Sequence, residues 1–263
     1  MTSIIKFFRQ LSLILVCSAT QLIAQNHIVN HLGEQLNYRM EFLGLPAGSI
    51  SFDVVTTKNI DSISLYHLKV KAQTNKLFSP LFGIQNKYES YFDTSTFLPQ
   101  ILKKDVKQKN IVQHFSINFN QQQNKASIND STSWNIPDSC YSFFSMLYFL
   151  RNQYFLIGDT IKFNLDSENL ASTCKATLAN SKIISTPAGK FKAIEVKLSF
   201  KPLTTSPRPW KTDLMTNRMA NPNSKMSIWL SDDQSRLPLI IQFSQKRSKV
   251  KLVLKQFRLA QNK

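Results

Sequence analysis

The sequence predicts an all-β fold, mainly antiparallel, in which a barrel-like or strongly curved sheet of about 10–12 strands surrounds one buried helix. Three observations predict it. Apolar and polar residues alternate over most of the chain, which is the period of a half-buried strand. Turn-forming residues interrupt this alternation at short intervals. One segment is apolar on nearly every side, which is typical of a helix that is buried in the protein.

Length and charge limit the possible classes of protein. The chain has 263 residues and carries 33 Lys and Arg against 16 Asp and Glu, a formal net charge of +17. This length fits one large domain or two small ones, and all-β barrels of this size are often single domains. The hydrophobic content of 42% is sufficient for a core. The positive surplus favours anionic partners, and a basic solvated surface with no specific partner is the alternative.

The first 24 residues are predicted to be a secretory signal peptide. Lys6 and Arg9 supply the positive segment, Leu11–Ala19 is a short apolar run, and Ala24 offers a cleavage point. The apolar run is too short to span a membrane. We therefore expect a periplasmic or otherwise exported protein with no transmembrane span in the mature chain. Residues 25–263 are then a single antiparallel β-barrel-like domain.

The cysteines leave two alternatives open. Cys17 raises the possibility of a lipid-modified N-terminus, but Val16 stands where a lipobox has a small residue. Cleavage after Ala24 would remove Cys17 and leave Cys140 and Cys174, which could pair in an oxidising compartment. Buried free thiols are the favoured interpretation, because a domain of this size does not need a disulfide for stability.

The first strands are followed by an unusual loop. Gln35–Leu43 and Ser49–Thr57 alternate as a hairpin, and Leu65–Gln73 is the next predicted strand. The loop Thr74–Ile84 contains many apolar residues, so we expect it either to tuck under the sheet or to line an opening. Its large apolar residues are Leu77, Phe78, Leu81 and Phe82.

Two stretches further along the chain resemble each other. Asp93 to Pro99 and Asp232 to Pro238 both run from a strand end, through a short polar turn, to a Leu-Pro pair that opens another strand. Met226–Phe243 shows this strand, turn and strand pattern most clearly. The chain is thus predicted to contain two similar three-strand meanders, and the common reuse of turn residues is the alternative explanation.

Asp138–Gln153 is the single predicted helix. Asp138 or Ser139 is its predicted N-cap, and its buried portion is expected to run from about Ser139 to Asn152. Such helices in β proteins usually plug or cover a curved sheet. Arg151 suits the negative end of the helix dipole, and contact with an anion is the alternative.

The second half of the chain returns to strands and contains one long insertion. The strands are Thr160–Leu165, Cys174–Ser185, Lys190–Pro202 and Lys249–Leu259. The insertion Thr204–Lys225 is polar, basic and Pro-rich, and we expect a flexible surface loop. Its candidate residues for contact with an anionic partner are Arg208, Trp210, Lys211 and Arg218.

No residue pattern points to catalysis. The chain has no Cys and His cluster with zinc spacing, no phosphate-binding loop and no nucleophile elbow. His27 and His31 form a pair at helical spacing, which is more simply a chance pair near a cleaved end. The neighbouring carboxylates of Asp232 and Asp233 lie on a polar turn, where both are expected to be solvated. We therefore expect a non-enzymatic protein with no metal and no cofactor.

Five stretches in this order and spacing carry a family resemblance: residues 36–54, 91–99, 140–159, 185–196 and 226–243. They read LNYRMEFLGLPAGSISFDV, YFDTSTFLP, CYSFFSMLYFLRNQYFLIGD, STPAGKFKAIEV and MSIWLSDDQSRLPLIIQF. Together they resemble DUF3108, a bacterial exported domain family of unknown function. The resemblance implies an antiparallel β-barrel-like domain with an internal or capping helix. It implies no activity and no catalytic residue.

Two hypotheses of function follow. In the first, helix and loop line an apolar pocket for a lipid or other apolar ligand, because small-molecule sites are concave and mostly apolar. The residues of this candidate site are Phe143, Phe144, Leu147, Leu77, Phe78 and Phe82. In the second, the barrel is filled, and the basic loop docks the protein as a scaffold on an anionic component of the cell envelope.

Two other classes of protein are less favoured. Export argues against a nucleic-acid partner. An outer-membrane barrel would need lipid-facing strands of about 9–11 residues with aromatic girdles. The strands expected here are shorter and rich in lysine.

Overall fold

The computed structural model describes residues 29–60, 63–129, 131–154, 156–203, 213, 215–216, 223–245 and 248–260. The predicted signal peptide and His27 lie outside these residues, as do Arg208, Trp210, Lys211 and Arg218. The elements in chain order are β1 (Gln35–Phe42), β2 (Leu45–Ile60), β3 (Ile63–Thr74), β4 (Gln85–Asp93), β5 (Pro99–Gln108), β6 (Ile111–Asn120), β7 (Lys125–Ile128), β8 (Thr132–Asn135), β9 (Cys140–Tyr141), α1 (Phe143–Arg151), β10 (Thr160–Leu165), β11 (Ser172–Thr186), β12 (Gly189–Pro202), β13 (Lys225–Ser231), β14 (Pro238–Gln245) and β15 (Ser248–Arg258).

All of these strands belong to one 15-stranded sheet with the order β8-β7-β6-β5-β4-β3-β2-β1-β15-β14-β13-β12-β11-β10-β9. The neighbours are antiparallel, except that β9 and β10 are parallel. The sheet is not closed, and β8 and β9 form its two edges. The predicted fold class is confirmed. The strand number exceeds the expected one partly because β8 and β9, with 4 and 2 residues, are too short for alternation to reveal.

Helix α1 fills the concave side of the sheet. Phe144 and Met146 are 0% exposed. The ring of Phe144 lies 5.0 Å from that of Tyr88 on β4 and 6.1 Å from that of Phe52 on β2. Tyr148, one turn further, lies 5.1 Å from Phe92 on β4. The predicted buried helix is therefore confirmed, and it runs along the inside of the sheet.

The predicted start of the helix is wrong. Its N-cap is Ser142, not Asp138 or Ser139. Ser142 and Ser145 form a capping box, in which the Ser145 amide donates to Ser142 Oγ at 3.4 Å and the Ser142 amide donates to Ser145 Oγ at 3.0 Å. Ser139 has φ 50°, outside the helical range, and Cys140–Tyr141 forms β9. The helix is accordingly shorter than the sequence indicates.

The connections between strands lie at two opposite ends of the sheet. One end, here the turn end, carries the tight turns 94–98 between β4 and β5 and 232–237 between β13 and β14. The other, here the loop end, carries the β1–β2 turn, the loop 75–84 between β3 and β4, and the insertion between β12 and β13. This division follows from the antiparallel register, in which successive connections alternate between the two ends.

The two turns that resemble each other in sequence share one hydrogen-bond pattern. Asp93 Oδ1 accepts from the amide of Ser95 at 2.7 Å and from its hydroxyl at 2.6 Å. Asp233 Oδ1 accepts from the amide of Ser235 at 2.9 Å and from its hydroxyl at 2.6 Å. The structural counterpart of Asp93 is thus Asp233, and the equivalence with Asp232 is wrong by one residue. The meanders β4–β5–β6 and β13–β14–β15 begin with the same turn chemistry.

Cys140 and Cys174 are buried free thiols. They lie on β9 and β11, which are on opposite sides of β10 in the sheet. Burial raises the pKa of both thiols well above the ordinary value of 9.0. The interpretation as small buried apolar residues is confirmed, and both thiols stay protonated at neutral pH.

Candidate functional site

An apolar pocket of about 90 Å³ lies at the loop end of the sheet. Its walls come from β1 and β2, from the loop 75–84, from the region where β14 and β15 meet, and from the insertion before β13. Because these segments are far apart in the chain, the pocket forms only when the sheet is assembled. It is lined by Met40, Phe42, Ala47, Thr74, Phe82, Ile84, Met215, Phe243, Gln245 and Val250.

The loop 75–84 supplies the aromatic wall of this pocket. It forms a helical turn in which the Phe82 amide donates to the carbonyl of Phe78 at 3.0 Å. Residues four apart on such a turn point to the same side, and both rings face inward. Phe82 lies 4.7 Å and Phe78 lies 6.2 Å, ring to ring, from Phe42 of β1. The loop therefore tucks against the end of the sheet and also lines an opening.

The structure does not bring the predicted site residues into one pocket. Phe143, Phe144 and Leu147 of the helix are buried in the core, and none of them lines the pocket at the loop end. Of the loop residues, Phe82 lines the pocket and Phe78 packs beside it. Leu77 points outward and is 76% exposed. The space beside Phe144, where a ligand cavity was expected, is occupied by neighbouring aromatic rings.

Sequence reasoning missed several lining residues. Met40 and Phe42 alternate on β1, so their inward side could be anticipated, but nothing in the sequence placed them at the end of the sheet. Met215 lies in the insertion that was expected to be flexible and solvated. It is 2% exposed, and Asp213 beside it is 0% exposed. The expectation of a flexible surface loop is therefore wrong for these two positions.

Asp213 anchors the insertion to the inner face of the sheet. Its carboxylate accepts hydrogen bonds from Tyr88 at 2.9 Å, from Gln108 at 3.0 Å and from Thr216 at 2.7 Å. It also forms an ion pair with Lys104 at 3.0 Å. Met215, two residues later, is thereby held against the pocket.

The charges in this anchor are retained despite their burial. Lys104 is buried and pairs with Asp213 and with Glu168. Burial by itself would lower the pKa of Lys104, but the two carboxylates raise it above its usual value. Burial would likewise raise the pKa of Asp213, but Lys104 and several hydrogen bonds hold it below its usual value. We infer a buried ion pair at neutral pH.

A second buried ionic cluster lies at the turn end. Arg151 donates to both carboxylate oxygens of Glu34, at 2.7 and 2.6 Å. The same guanidinium donates to the carbonyls of Ser235 and Arg236. Arg151 is thus paired within the protein, and the anion that it contacts is the carboxylate of Glu34. The cluster ties the end of α1 to the segment before β1.

His31 adjoins this second cluster. Burial and the charge of Arg151 lower the pKa of His31 to about 4, so it is neutral at neutral pH. Its ring lies 4.9 Å from that of Tyr148 in an edge-on contact. His31 therefore acts as a packed aromatic residue, while its sequence partner His27 lies outside the described residues.

Two further properties concern only the described part of the chain. Its residues include no group of three or more His, Cys, Asp and Glu that could hold a metal ion. None of its helices has the length and apolar character required to cross a bilayer.

Comparison with solved structures supports the fold. A β-barrel-like protein of the domain of unknown function DUF1849 from Brucella abortus aligns with a TM-score of 0.56 at 7% identity, covering 89% of this chain and 100% of that one. A candidate lipoprotein from Parabacteroides distasonis aligns with a TM-score of 0.37 at 11% identity, covering 86% and 95%. A candidate exported protein with a YmcC-like fold from Bacteroides fragilis aligns with a TM-score of 0.38 at 12% identity, covering 88% and 98%. The latter two TM-scores are too low to indicate a shared fold.

Comparison by sequence identifies a family. The family model described as a protein of unknown function, DUF3108, matches residues 37–255. No curated protein matches the chain.

Proposed function

The chain belongs to the DUF3108 family, and from this premise we propose that it is an exported, non-enzymatic protein that binds the end of an aliphatic chain in the pocket at the loop end. The N-terminal segment, with its two cations and short apolar run, supports export. The apolar lining of the pocket supports the ligand class.

The lining is the observation that carries this proposal. Apart from Thr74 and Gln245, every described residue that lines the pocket is apolar. An aliphatic chain gains free energy there by leaving water, because most of the surface that it meets is apolar. The unbranched side chains of Met40 and Met215 adapt their shape to a ligand more readily than Leu or Ile would.

The size of the pocket restricts what it can hold. Its volume of about 90 Å³ is far below that of a whole-ligand site, which is typically about 300–1,000 Å³. The pocket therefore takes a few methylene groups at the end of a chain, while the rest of the ligand stays outside. Among the described residues, the lining includes no Cys, His, Lys, Asp or Glu, and this composition supports a binding role over catalysis.

Methyl NMR with dodecanoate as the probe tests this proposal. The methyl signals of Met40 and Met215 are expected to shift on titration, while that of Met146, buried within α1, stays unchanged. A Val250→Phe variant fills the pocket and is expected to weaken binding about tenfold, since it removes the space for one or two methylenes. Val112→Phe, on an exposed strand position, is the matched control and leaves binding unchanged.

Two outcomes would contradict the proposal. Shifts that are equal at Met146 would indicate general association rather than the pocket. Unchanged dodecanoate affinity in Val250→Phe, with its fold intact by circular dichroism, would place the ligand elsewhere.

The filled interior favours a second candidate function, a scaffold of the cell envelope. Phe144 and Met146 are fully buried, and the rings of Phe52 and Tyr88 lie against Phe144, which supports a packed interior. In this case the protein would dock on an anionic partner through the insertion. Neutralising Arg208, Lys211 and Arg218 together would then abolish salt-sensitive capture of an envelope component, and Val250→Phe would not affect that capture.

A further inference from the structure

Four leucines at the loop end are exposed although they belong to well-packed connections. Leu43 and Leu45 in and beside the β1–β2 turn are 58% and 59% exposed, and Leu77 and Leu81 of the loop 75–84 are 76% and 60% exposed. We call these four residues the leucine patch. Single exposed leucines are ordinary, but a group at one end of a protein marks an interaction surface.

The two connections that carry the leucine patch are fixed to each other. The amide of Asn75 donates to the carbonyl of Ala47 at 2.9 Å, and its side-chain amide donates to the carbonyl of Pro46 at 2.8 Å. Phe42 and Phe82 pack beneath them, 4.7 Å apart. These contacts hold the two leucine-bearing segments side by side in a defined arrangement at one end of the sheet.

The helical turn of the loop is apolar on both sides. Phe78 and Phe82 face the sheet, while Leu77 and Leu81, also four residues apart, lie on the side that faces away from it. A turn that only covered the pocket would carry polar residues on its outer side. With 76% and 60% of their surfaces exposed, Leu77 and Leu81 are left largely uncovered by the described part of the chain.

The surroundings of the leucine patch are basic. Lys76 is exposed within the loop itself, and Lys109 is held against it because its Nζ donates to the carbonyl of Pro80 at 2.8 Å. The carbonyl of Lys249 accepts from the amide of Leu43 at 3.0 Å. The segments 42–48, 74–84, 107–111 and 248–251 lie around the leucine patch, and these four segments contain five lysines and no Asp or Glu.

We propose that the loop end is a membrane-docking surface, in which the leucine patch enters the interface of an anionic phospholipid bilayer and the surrounding lysines contact the lipid head groups. Apolar side chains gain free energy at the acyl boundary, and cations gain it at the negative surface. A second copy of the chain is a poor occupant, because pairing the two patches would bring the same lysines together. This surface is distinct from the pocket, and the proposal stands without a bound ligand.

Co-sedimentation with vesicles tests the proposal. The purified chain is expected to bind vesicles of phosphatidylethanolamine and phosphatidylglycerol, and to bind phosphatidylcholine vesicles much more weakly. Leu77→Ser/Leu81→Ser is expected to lower the partition coefficient about tenfold or more. Lys76→Gln/Lys249→Gln is expected to lower it about tenfold at low salt, with a smaller effect at high salt because the charges are screened. Every variant carries the same N-terminal segment, so its contribution cancels.

Matched controls lie at the opposite end of the sheet. Ile183→Ser removes an exposed apolar residue, and Lys190→Gln removes an exposed charge, both on the β11–β12 hairpin. Both are expected to bind anionic vesicles as the parent does, and all variants are expected to unfold at the parent's temperature.

Three results would overturn the proposal. The first is equal binding of the parent to neutral and anionic vesicles. The second is unchanged binding by the leucine variant, and the third is a concentration-dependent dimer that this variant dissolves. The leucine variant keeps the methyl shifts with dodecanoate if the pocket binds ligand, and Val250→Phe keeps vesicle binding if the surface docks. The two readouts therefore distinguish failure of the proposed ligand site from failure of the proposed membrane-docking surface.

Discussion

At the scale of single residues, the pair of Glu34 and Arg151 is the most consequential feature. Burial alone would raise the pKa of Glu34, but the charge and hydrogen bonds of Arg151 lower it from 4.5 to about 2. A buried, bidentate pair of this kind can be neutral in stability compared with apolar residues, whereas one partner left alone is strongly destabilising. The sequence predicts Arg151 as a cation at the end of the helix. It does not predict Glu34 as its partner, because 117 positions separate the two residues.

We therefore expect Glu34→Gln to reduce the free energy of unfolding by about 3–5 kcal/mol at neutral pH, because the guanidinium of Arg151 stays buried without a counter-charge. Urea unfolding measures this loss. The control is Glu41→Gln, which breaks the more exposed pair with Arg39 and is expected to cost less than about 1 kcal/mol.

The pH dependence of this loss has a definite sign. Because the folded pKa of Glu34 is lowered, its stabilisation is present above pH 4.5 and disappears as the pH falls from 4.5 towards about 2. The difference between parent and Glu34→Gln is expected to shrink over that range. A difference that stays constant from neutral pH to pH 2 would show that the ion pair is not its cause.

At the scale of elements, the insertion between β12 and β13 departs most from expectation. Its composition is polar and basic, which predicts a solvated loop, yet Asp213 and Met215 are buried. Their partners Tyr88, Lys104 and Gln108 lie on β4 and β5, more than 100 residues earlier. A buried Asp can be recognised only when its cationic partner is known. Lys104, the partner of Asp213, is far away in the sequence, so the pattern around Asp213 does not reveal the pair.

Asp213→Ala is expected to lower the free energy of unfolding by about 2 kcal/mol or more, since Tyr88 and Gln108 lose their buried acceptor. The Met215 methyl signal is also expected to broaden or move towards its value in an unfolded chain. Asp105→Ala, on the exposed side of the same strand as Lys104, is the control and leaves both unchanged. A normal Met215 signal in Asp213→Ala would mean that Asp213 does not hold the insertion in place.

The strands were predictable because alternation is a local signal, and the helix was predictable because a run of large apolar residues is also local. The start of the helix was not. Cys140–Tyr141 and the residues from Phe143 onward are equally apolar. The distribution of apolar residues therefore does not show where β9 ends and α1 begins. The separating signal is the pair Ser142 and Ser145, which cap the helix only in one backbone conformation.

At the scale of the whole molecule, the last strand lies at the centre of the sheet. β15 pairs with β1 on one side and with β14 on the other. Strand alternation predicts such a strand, but it cannot predict its neighbours, because pairing depends on contacts between the two ends of the chain. The candidate pocket was unpredictable for the same reason, since Met40 and Val250 meet only through this pairing.

We expect Lys251→Pro to lower the free energy of unfolding by more than about 2 kcal/mol, because proline removes a ladder hydrogen bond from a strand that is paired on both sides. Ser133→Pro, on the edge strand β8, is expected to cost clearly less, since that strand has one neighbour. Thermal unfolding of both variants checks this. Equal losses would indicate that β15 is not a central strand in solution.

The first and last strands of the chain, β1 and β15, are neighbours in the sheet. Starting from β9, the sheet runs in unbroken chain order through β15, continues with β1 and finishes at β8. Apart from the parallel pair β9 and β10, the sheet is thus an up-and-down ribbon in which the first and last strands lie side by side in the middle, with Gln35 opposite Arg258. A chain with β15 joined to β1 and cut between β8 and β9 would form the same sheet with its strands in plain sequence order. Related chains with different termini would belong to the same architecture.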